Sequence, residues 1–227
     1  MISVAIDGPA GAGKSSVSRA VAARLGYIYV DTGALYRTVA LSLINAKIDV
    51  SDESAVQEHL SKISVDISYV GDEQRVFLNG NDVSELIRSP EVSMGASKAS
   101  ALPCVRQFLF DKQRDLAVKN NVVMDGRDIG TVVLPEAQVK IYLTATAEER
   151  ARRRMKEMLE KGQEADFDSV LEDIKKRDRN DMNRPISPLK KADDAILVDT
   201  TDTGGYEKSV ELLLDMIRQR LAEIKGE

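Results

Sequence analysis

The chain has 227 residues, 43% of them hydrophobic and 30% charged, with 14 Gly and 6 Pro. That is room for one α/β domain with an inserted segment, and the balance excludes disorder, collagen and low-complexity scaffolds. Cys104 is the only cysteine, which excludes an intrachain disulfide and a cysteine-based zinc site, and the net charge of −5 argues against nucleic acid or anionic membrane as partners.

The N-terminal MISVAIDG lacks the charged and apolar regions of a signal peptide, and no apolar run approaches 18 residues. A soluble, cytoplasmic protein is expected. Ser3–Ile6 reads as a strand, and GPAGAGKS (Gly8, Pro9, Ala10, Gly11, Ala12, Gly13, Lys14, Ser15) follows it and opens a helix over Lys14–Leu25. This pattern is G-x-x-x-x-G-K-[ST] in the strand–turn–helix context that gives it meaning. Its glycines let backbone N–H groups turn inward, and the helix N-terminus adds its dipole, so the loop is a nest for phosphate oxygens. Lys14 is placed for the β- and γ-phosphates, Ser15 for Mg²⁺, and the chain is expected to bind a nucleoside triphosphate.

Tyr27–Val30 is a second apolar run, followed by DTGALYR and a helix over Gly33–Asn45. Thr32 suits an N-cap there, and Arg37 lies one turn into the helix, where it can face an anion. From Asp49 to Ser84 the rhythm changes: Ser64–Val70 alternates apolar and polar residues, and Arg75–Leu78 precedes Asn79-Gly80. Period-two patterning beside an Asn-Gly turn predicts antiparallel strands, read as an insertion into the α/β core. His59, the only histidine, falls in a helix of this insertion away from any motif and is read as structural.

A helix over Val105–Val118 precedes the strand Val122–Met124, which ends in Asp125, an acid that in P-loop proteins lies beside the metal or else caps the next turn. DGRDIG then places Arg127 and Asp128 at the carboxyl end of a strand, where ligands of open α/β sheets collect. Val139–Leu143 and Ala195–Val198 are the remaining strands, and Glu148–Lys161, Asp168–Asp181 and Tyr206–Ile224 the remaining helices. Residues 150–191 hold 13 of the 32 Lys/Arg but 9 of the 37 Asp/Glu, a local +4. Arg150, Arg152, Arg153 and Arg154 share one helix, and Arg177, Asp181 and Arg184 fall on one face of the next. A solvated face explains many such runs, but two Arg-rich helices joined through Gly162 also describe a lid over phosphates. No Ser-His-Asp or Cys-His arrangement is available for acyl chemistry. Strands with continuous apolar character alternating with helices give an α/β, three-layer P-loop domain: a five-stranded parallel sheet, a small antiparallel β insertion and a helical lid.

Taken together, GPAGAGKS, DTGALYR, ASKASALPCVR, DGRDIGTVVLP and KKRDRNDMNR resemble the bacterial cytidylate kinases, over essentially the whole chain. The resemblance implies a single kinase domain: a core of about 1–48, 103–147 and 192–227, a CMP-binding insertion of about 49–102 at the monophosphate site, and an Arg-rich lid of about 148–191. It implies the substrates ATP and CMP or dCMP, with Mg²⁺; nothing in the sequence marks an obligate interface, so a monomer is expected. ATP falls to residues 8–16, ending at Ser16. Ser97, Arg106 and Asp128 match residues that read cytosine. Arg37, Arg127 and Arg184 match residues that hold the monophosphate, with Thr32 nearby. Arg177 and Asp181 match residues at the sugar, and Arg153 matches a lid arginine. Lys14, Arg127, Arg153, Arg177 and Arg184 are thereby the expected catalytic cations. A kinase for UMP, AMP or shikimate is the alternative within the class. A nucleotide-dependent switch is disfavoured, because Lys190-Lys191-Ala192-Asp193 lacks the first position of [NT]-K-x-D.

Overall fold

The computed structural model describes every residue except Asp72, Lys161 and Glu227, and the side chain of Lys225. The expected helix end at Lys161, and those single positions of the insertion and the core, therefore lie outside the described residues. The core elements are β1 (Ser3–Asp7), α1 (Lys14–Leu25), β2 (Ile28–Asp31), α2 (Thr32–Asn45), α5 (Pro103–Lys119), β6 (Val122–Gly126), β7 (Val139–Thr144), β8 (Ile196–Asp199) and α8 (Tyr206–Lys225). Five strands form one parallel sheet in the order β2-β6-β1-β7-β8. Its central strands are apolar on consecutive residues because both faces are covered. Val4 and Ile6 pack with Val17, Val21, Leu213, Leu214 and Ile217 of α1 and α8. Ala5, between them, points the other way into a cluster with Val30, Ala117 and Met124.

Between α2 and α5 lie α3 (Glu53–Leu60), the strands β3 (Val65–Val70), β4 (Glu73–Leu78) and β5 (Asn81–Asp82), and α4 (Pro90–Ala99). The three strands form the expected small antiparallel sheet. Asn79 and Gly80 have φ of 50° and 80° and turn β4 directly into β5, with Leu78 facing Asn81. Positive φ at both positions is the type I′ requirement that Asn-Gly meets. β5 and α4 were not legible as elements in the alternation pattern. The insertion does not have a core of its own: Val56, Leu60, Val65 and Ala99 pack against Leu35, Val39 and Leu43 of α2 and Val105 and Leu109 of α5. His59 sits in that contact, its Nε2 3.3 Å from the Ser42 hydroxyl.

Side chains of the small sheet also cover the free edge of β2. The Tyr69 hydroxyl donates to the Tyr29 carbonyl at 3.1 Å. Gln74 accepts from the Asp31 N–H at 2.8 Å and donates to the Asp31 carbonyl at 3.2 Å. Its carboxamide thus pairs with one residue of the strand as a neighbouring peptide unit does. The Arg-rich segment folds into α6 (Ala147–Glu160) and α7 (Phe167–Asn183), which pack through Ala151, Val170 and Ile174. No described helix is long and apolar enough to cross a membrane.

Candidate active site

Register brings the three sequence motifs together. β6 lies between β2 and β1, with Asp31 opposite Asp125 and Asp7 opposite Gly126. The glycine loop, DTGALYR and DGRDIG therefore start from the carboxyl ends of three adjacent strands, the place where open parallel sheets bind ligands.

The glycine loop is shaped by its neighbours. Gly8 has φ of 151°, and a Cβ there would lie 1.9 Å from the Leu143 carbonyl oxygen, so only glycine fits. Gly13 adopts the left-handed conformation at φ 83° as the N-cap of α1, and no side chain caps that helix. Its first-turn N–H groups are left for a ligand. Lys14 is buried, donates to the Pro9 carbonyl at 2.7 Å, and has its pKa pushed well down by burial and then by the Arg127 charge. Ser15 donates to Asp125 Oδ2 at 2.8 Å, and the Tyr29 hydroxyl donates to Asp125 Oδ1 at 3.2 Å. Asp125 is therefore not a cap for the following turn. Burial, followed by the nearby Asp31, raises its pKa to about 6. Ser16 is exposed, and its carbonyl accepts from the Tyr206 hydroxyl.

DTGALYR departs from its expected capping. Asp31, not Thr32, is the N-cap of α2 and accepts from the Ala34 N–H at 2.9 Å. Thr32 instead donates to the Asp125 carbonyl at 2.7 Å, which ties α2 to β6. Arg37 is paired with Asp31 at 2.8 Å, and its Nε is buried without a partner.

Asp128 stands at the centre of a buried cluster. Arg106 Nη2 donates to its Oδ2, and Arg184 Nη2 lies 3.4 Å from its Oδ1. The Ser100 carbonyl accepts from Arg106 at 3.1 Å, and the Ser100 hydroxyl accepts from Arg184 at 3.3 Å. Arg106 also lies over the Tyr36 ring, 5.7 Å from its centroid. Burial raises the Asp128 pKa, and the two guanidiniums oppose that shift. Arg184, matched by resemblance to the monophosphate, is held here against Asp128 and Ser100. Ser97 lies one turn before Ser100 on α4, and its carbonyl accepts the Ser100 hydroxyl at 2.9 Å.

Arg127 donates to Asp181 at 2.9 Å, and Arg177 stands one turn earlier on α7. Arg177 has its Nε buried without a partner, and burial, then the Arg127 charge, lowers its pKa to about 10. Cations packed this closely make a site for anions. Arg153 donates to Glu149 and to the Thr200 carbonyl and hydroxyl, and a Cβ on Gly13 would lie 3.9 Å from its Nη1.

A family model described as cytidylate kinase matches residues 4–219. A cytidylate kinase of Carboxydothermus hydrogenoformans is 51% identical over 217 residues, 96% of this chain and 97% of that one. One of Caldicellulosiruptor bescii is 48% identical over 223 residues, 97% of this chain and 99% of that one. The chain belongs to the cytidylate kinase family. Among solved structures, an uncharacterized protein from Eubacterium ventriosum superposes with a TM-score of 0.50 at 14% identity, over 96% of this chain and 97% of that one, a likeness of fold.

Within this cytidylate kinase family member, sequence reasoning missed two groups that hold the motifs in place. Asp7 is buried and accepts from the Ile129 and Gly130 N–H groups, both at 2.8 Å, so it fixes the loop that carries Arg127 and Asp128. Its pKa is raised by burial to about 6. An acid immediately before a glycine loop, in MISVAIDG, was the available signal. Ser100 was inside a quoted motif, but nothing in its spacing marks it as the bridge between Arg106 and Arg184.

Proposed function

We propose that the protein transfers the γ-phosphoryl group of ATP to CMP or dCMP, giving ADP and CDP or dCDP. The observation that carries this reading is the group of buried Lys14 with half-buried Arg127 and Arg177, beside the glycine loop and the Asp128 cluster. The three cations lie close enough to lower the pKa of Lys14 and of Arg177, the arrangement that a centre receiving two phosphorylated substrates requires. Membership of the cytidylate kinase family supports the choice of acceptor.

On this reading the loop over residues 8–16 cradles the donor, and Lys14 leaves the Pro9 carbonyl for the phosphates. The Ser15 hydroxyl and the buried Asp125 carboxylate, 2.8 Å apart, are hard oxygen donors that suit Mg²⁺. When bound with the nucleotide, Mg²⁺ neutralises charge on the transferring oxygens. Arg37, Arg127 and Arg177 orient the acceptor phosphate for in-line attack, with Thr32 nearby. Asp181 keeps Arg127 aimed and stands where the sugar passes. Arg153 and Arg184 bring cations from the lid side, so catalysis is mainly positioning and charge neutralisation. Ser97, Arg106 and Asp128 read the base. A carboxylate accepts from the N4 amine of cytosine but opposes the O4 of uracil, a buried mismatch of the kind that discriminates by roughly 10⁴. A cytoplasmic monomer acting on free nucleotides completes the reading.

Coupled-assay kinetics over CMP, dCMP, UMP, AMP and shikimate test it. CMP and dCMP are expected to be good acceptors and UMP a poor one. A higher kcat/KM with UMP, AMP or shikimate would replace the proposed acceptor.

A further inference from the structure

Arg150, on α6, makes a hydrogen bond through each of its three guanidinium nitrogens. Its side chain is 6% exposed, and its guanidinium spans three elements. Nε donates to the Ala145 carbonyl at 2.9 Å, just before α6. Nη1 donates to the Ala10 carbonyl in the glycine loop at 2.9 Å, and Nη2 to Asp178 of α7 at 2.7 Å. Close packing accompanies these bonds: a Cβ on Gly11 would lie 3.3 Å from Arg150 Cβ and 3.8 Å from Ile174 Cδ1.

Each end of the fork bears on the chemistry. In a trans peptide the C=O and N–H point in opposite directions, so gripping the Ala10 carbonyl turns the Gly11 N–H away from the guanidinium. That fixes one donor of the phosphate nest before any phosphate arrives. At the other end, Asp178 adjoins Arg177 in sequence and precedes Asp181, which holds Arg127 at 2.9 Å. A rigid helical turn thus runs from the Arg150 contact to the two arginines at the acceptor phosphate. Only a planar fork with several donors can make all three bonds together, and a point-charge ammonium cannot.

We propose that Arg150 is a positioning residue for phosphoryl transfer, coupling the glycine loop to Arg177 and, through Asp181, to Arg127, so that donor binding and acceptor geometry are set together. This rests on the phosphoryl-transfer reading of the site. Arg150 touches no substrate; it acts through the Ala10–Gly11 peptide and through Asp178.

The test uses the full chain as wild type, R150K, R150M and the double variant R150M/D178L. R150M leaves Asp178 as an unpaired buried charge and is expected to lose thermal stability. The double variant removes that charge and is expected to regain the wild-type Tm. Its kcat should nevertheless stay about 10²-fold low, the cost of misplaced reacting groups, with the KM for CMP within about threefold of wild type. R150K should fall between wild type and R150M in kcat. Binding gives a readout independent of turnover: CMP should tighten the binding of a non-hydrolysable ATP analogue to the wild type by about fivefold or more, and leave it unchanged in the double variant. A double variant that regains kcat along with Tm would reduce Arg150 to a packing element and overturn the proposal. So would wild-type binding without coupling, or an R150K that matches wild type in every parameter. A wild type that couples the two nucleotides but phosphorylates no acceptor would overturn the kinase reading and leave the coupling role of Arg150 standing.

Discussion

Asp125 illustrates how a single buried carboxylate sets the terms of a site. It is held by Ser15 and Tyr29, lies near Asp31, and has its pKa raised by burial to about 6. A shift of about two units from the ordinary carboxylate range corresponds to roughly 3 kcal/mol of unfavourable ionisation in the folded state. The folded protein therefore binds a proton there that the unfolded chain has already released. The Asp125 contribution makes stability fall as pH rises from about 4 through about 6, and Asp7 acts in the same direction. Asp125→Asn is expected to raise Tm by about 2–4 °C at pH 7.5, to flatten that part of the stability profile, and to lower kcat by about 10²-fold or more. Calorimetry across pH 4–8 checks it, and a lower Tm for the variant would refute it. In the wild type, kcat/KM for ATP should decline as pH drops through about 6, because the protonated carboxyl accepts more weakly from Ser15 and no longer suits a cation. Asp128→Asn tests the proposed reading of the base. It is expected to cut kcat/KM for CMP by about 10²-fold or more while changing the KM for ATP little. Asp128 was legible from DGRDIG, and its engagement by both Arg106 and Arg184 was not, because those partners lie 22 and 56 residues away.

At the scale of elements, legibility followed whether a feature is local. The glycine loop and the Asn-Gly turn are stretches whose own backbone demands, such as φ 83° at Gly13 and φ 80° at Gly80, select the residues. The five core strands were legible because a sheet covered on both faces writes continuous apolar runs. The edge contact of the insertion was not, since Gln74 reads as one polar residue in an alternating strand, and its partner Asp31 is 43 residues away. That contact makes a specific expectation. Gln74→Ala removes two hydrogen bonds to Asp31, worth roughly 1–2 kcal/mol together, and frees the residue that caps α2 and pairs with Arg37. The KM for CMP should rise several-fold while the KM for ATP stays near wild type. Steady-state kinetics with each substrate varied in turn decides it, and an equal rise in both KM values would mean that the hairpin braces the whole fold and not the acceptor side.

For the whole molecule, the uneven charge is the property that composition alone misreads. The net −5 describes a surface, while Lys14 is buried beside the glycine loop with Arg127 and Arg177 half-buried next to it. Substrates that relieve such a cluster bind the native state and not the unfolded chain. CMP at about 100 times its Kd is therefore expected to add about 2.7 kcal/mol, seen as a rise of about 5–11 °C in Tm, with UMP giving much less at the same concentration. Differential scanning fluorimetry compares them directly, and equal shifts would count against base reading by Asp128. The covering of β2 has a last consequence, which concerns solubility. A strand at the rim of a parallel sheet carries unpaired N–H and C=O groups able to recruit another chain. Tyr69 and Gln74 occupy those groups at Tyr29 and Asp31. A version trimmed of the hairpin would thus present unpaired backbone groups along β2, and its first failure would be self-association.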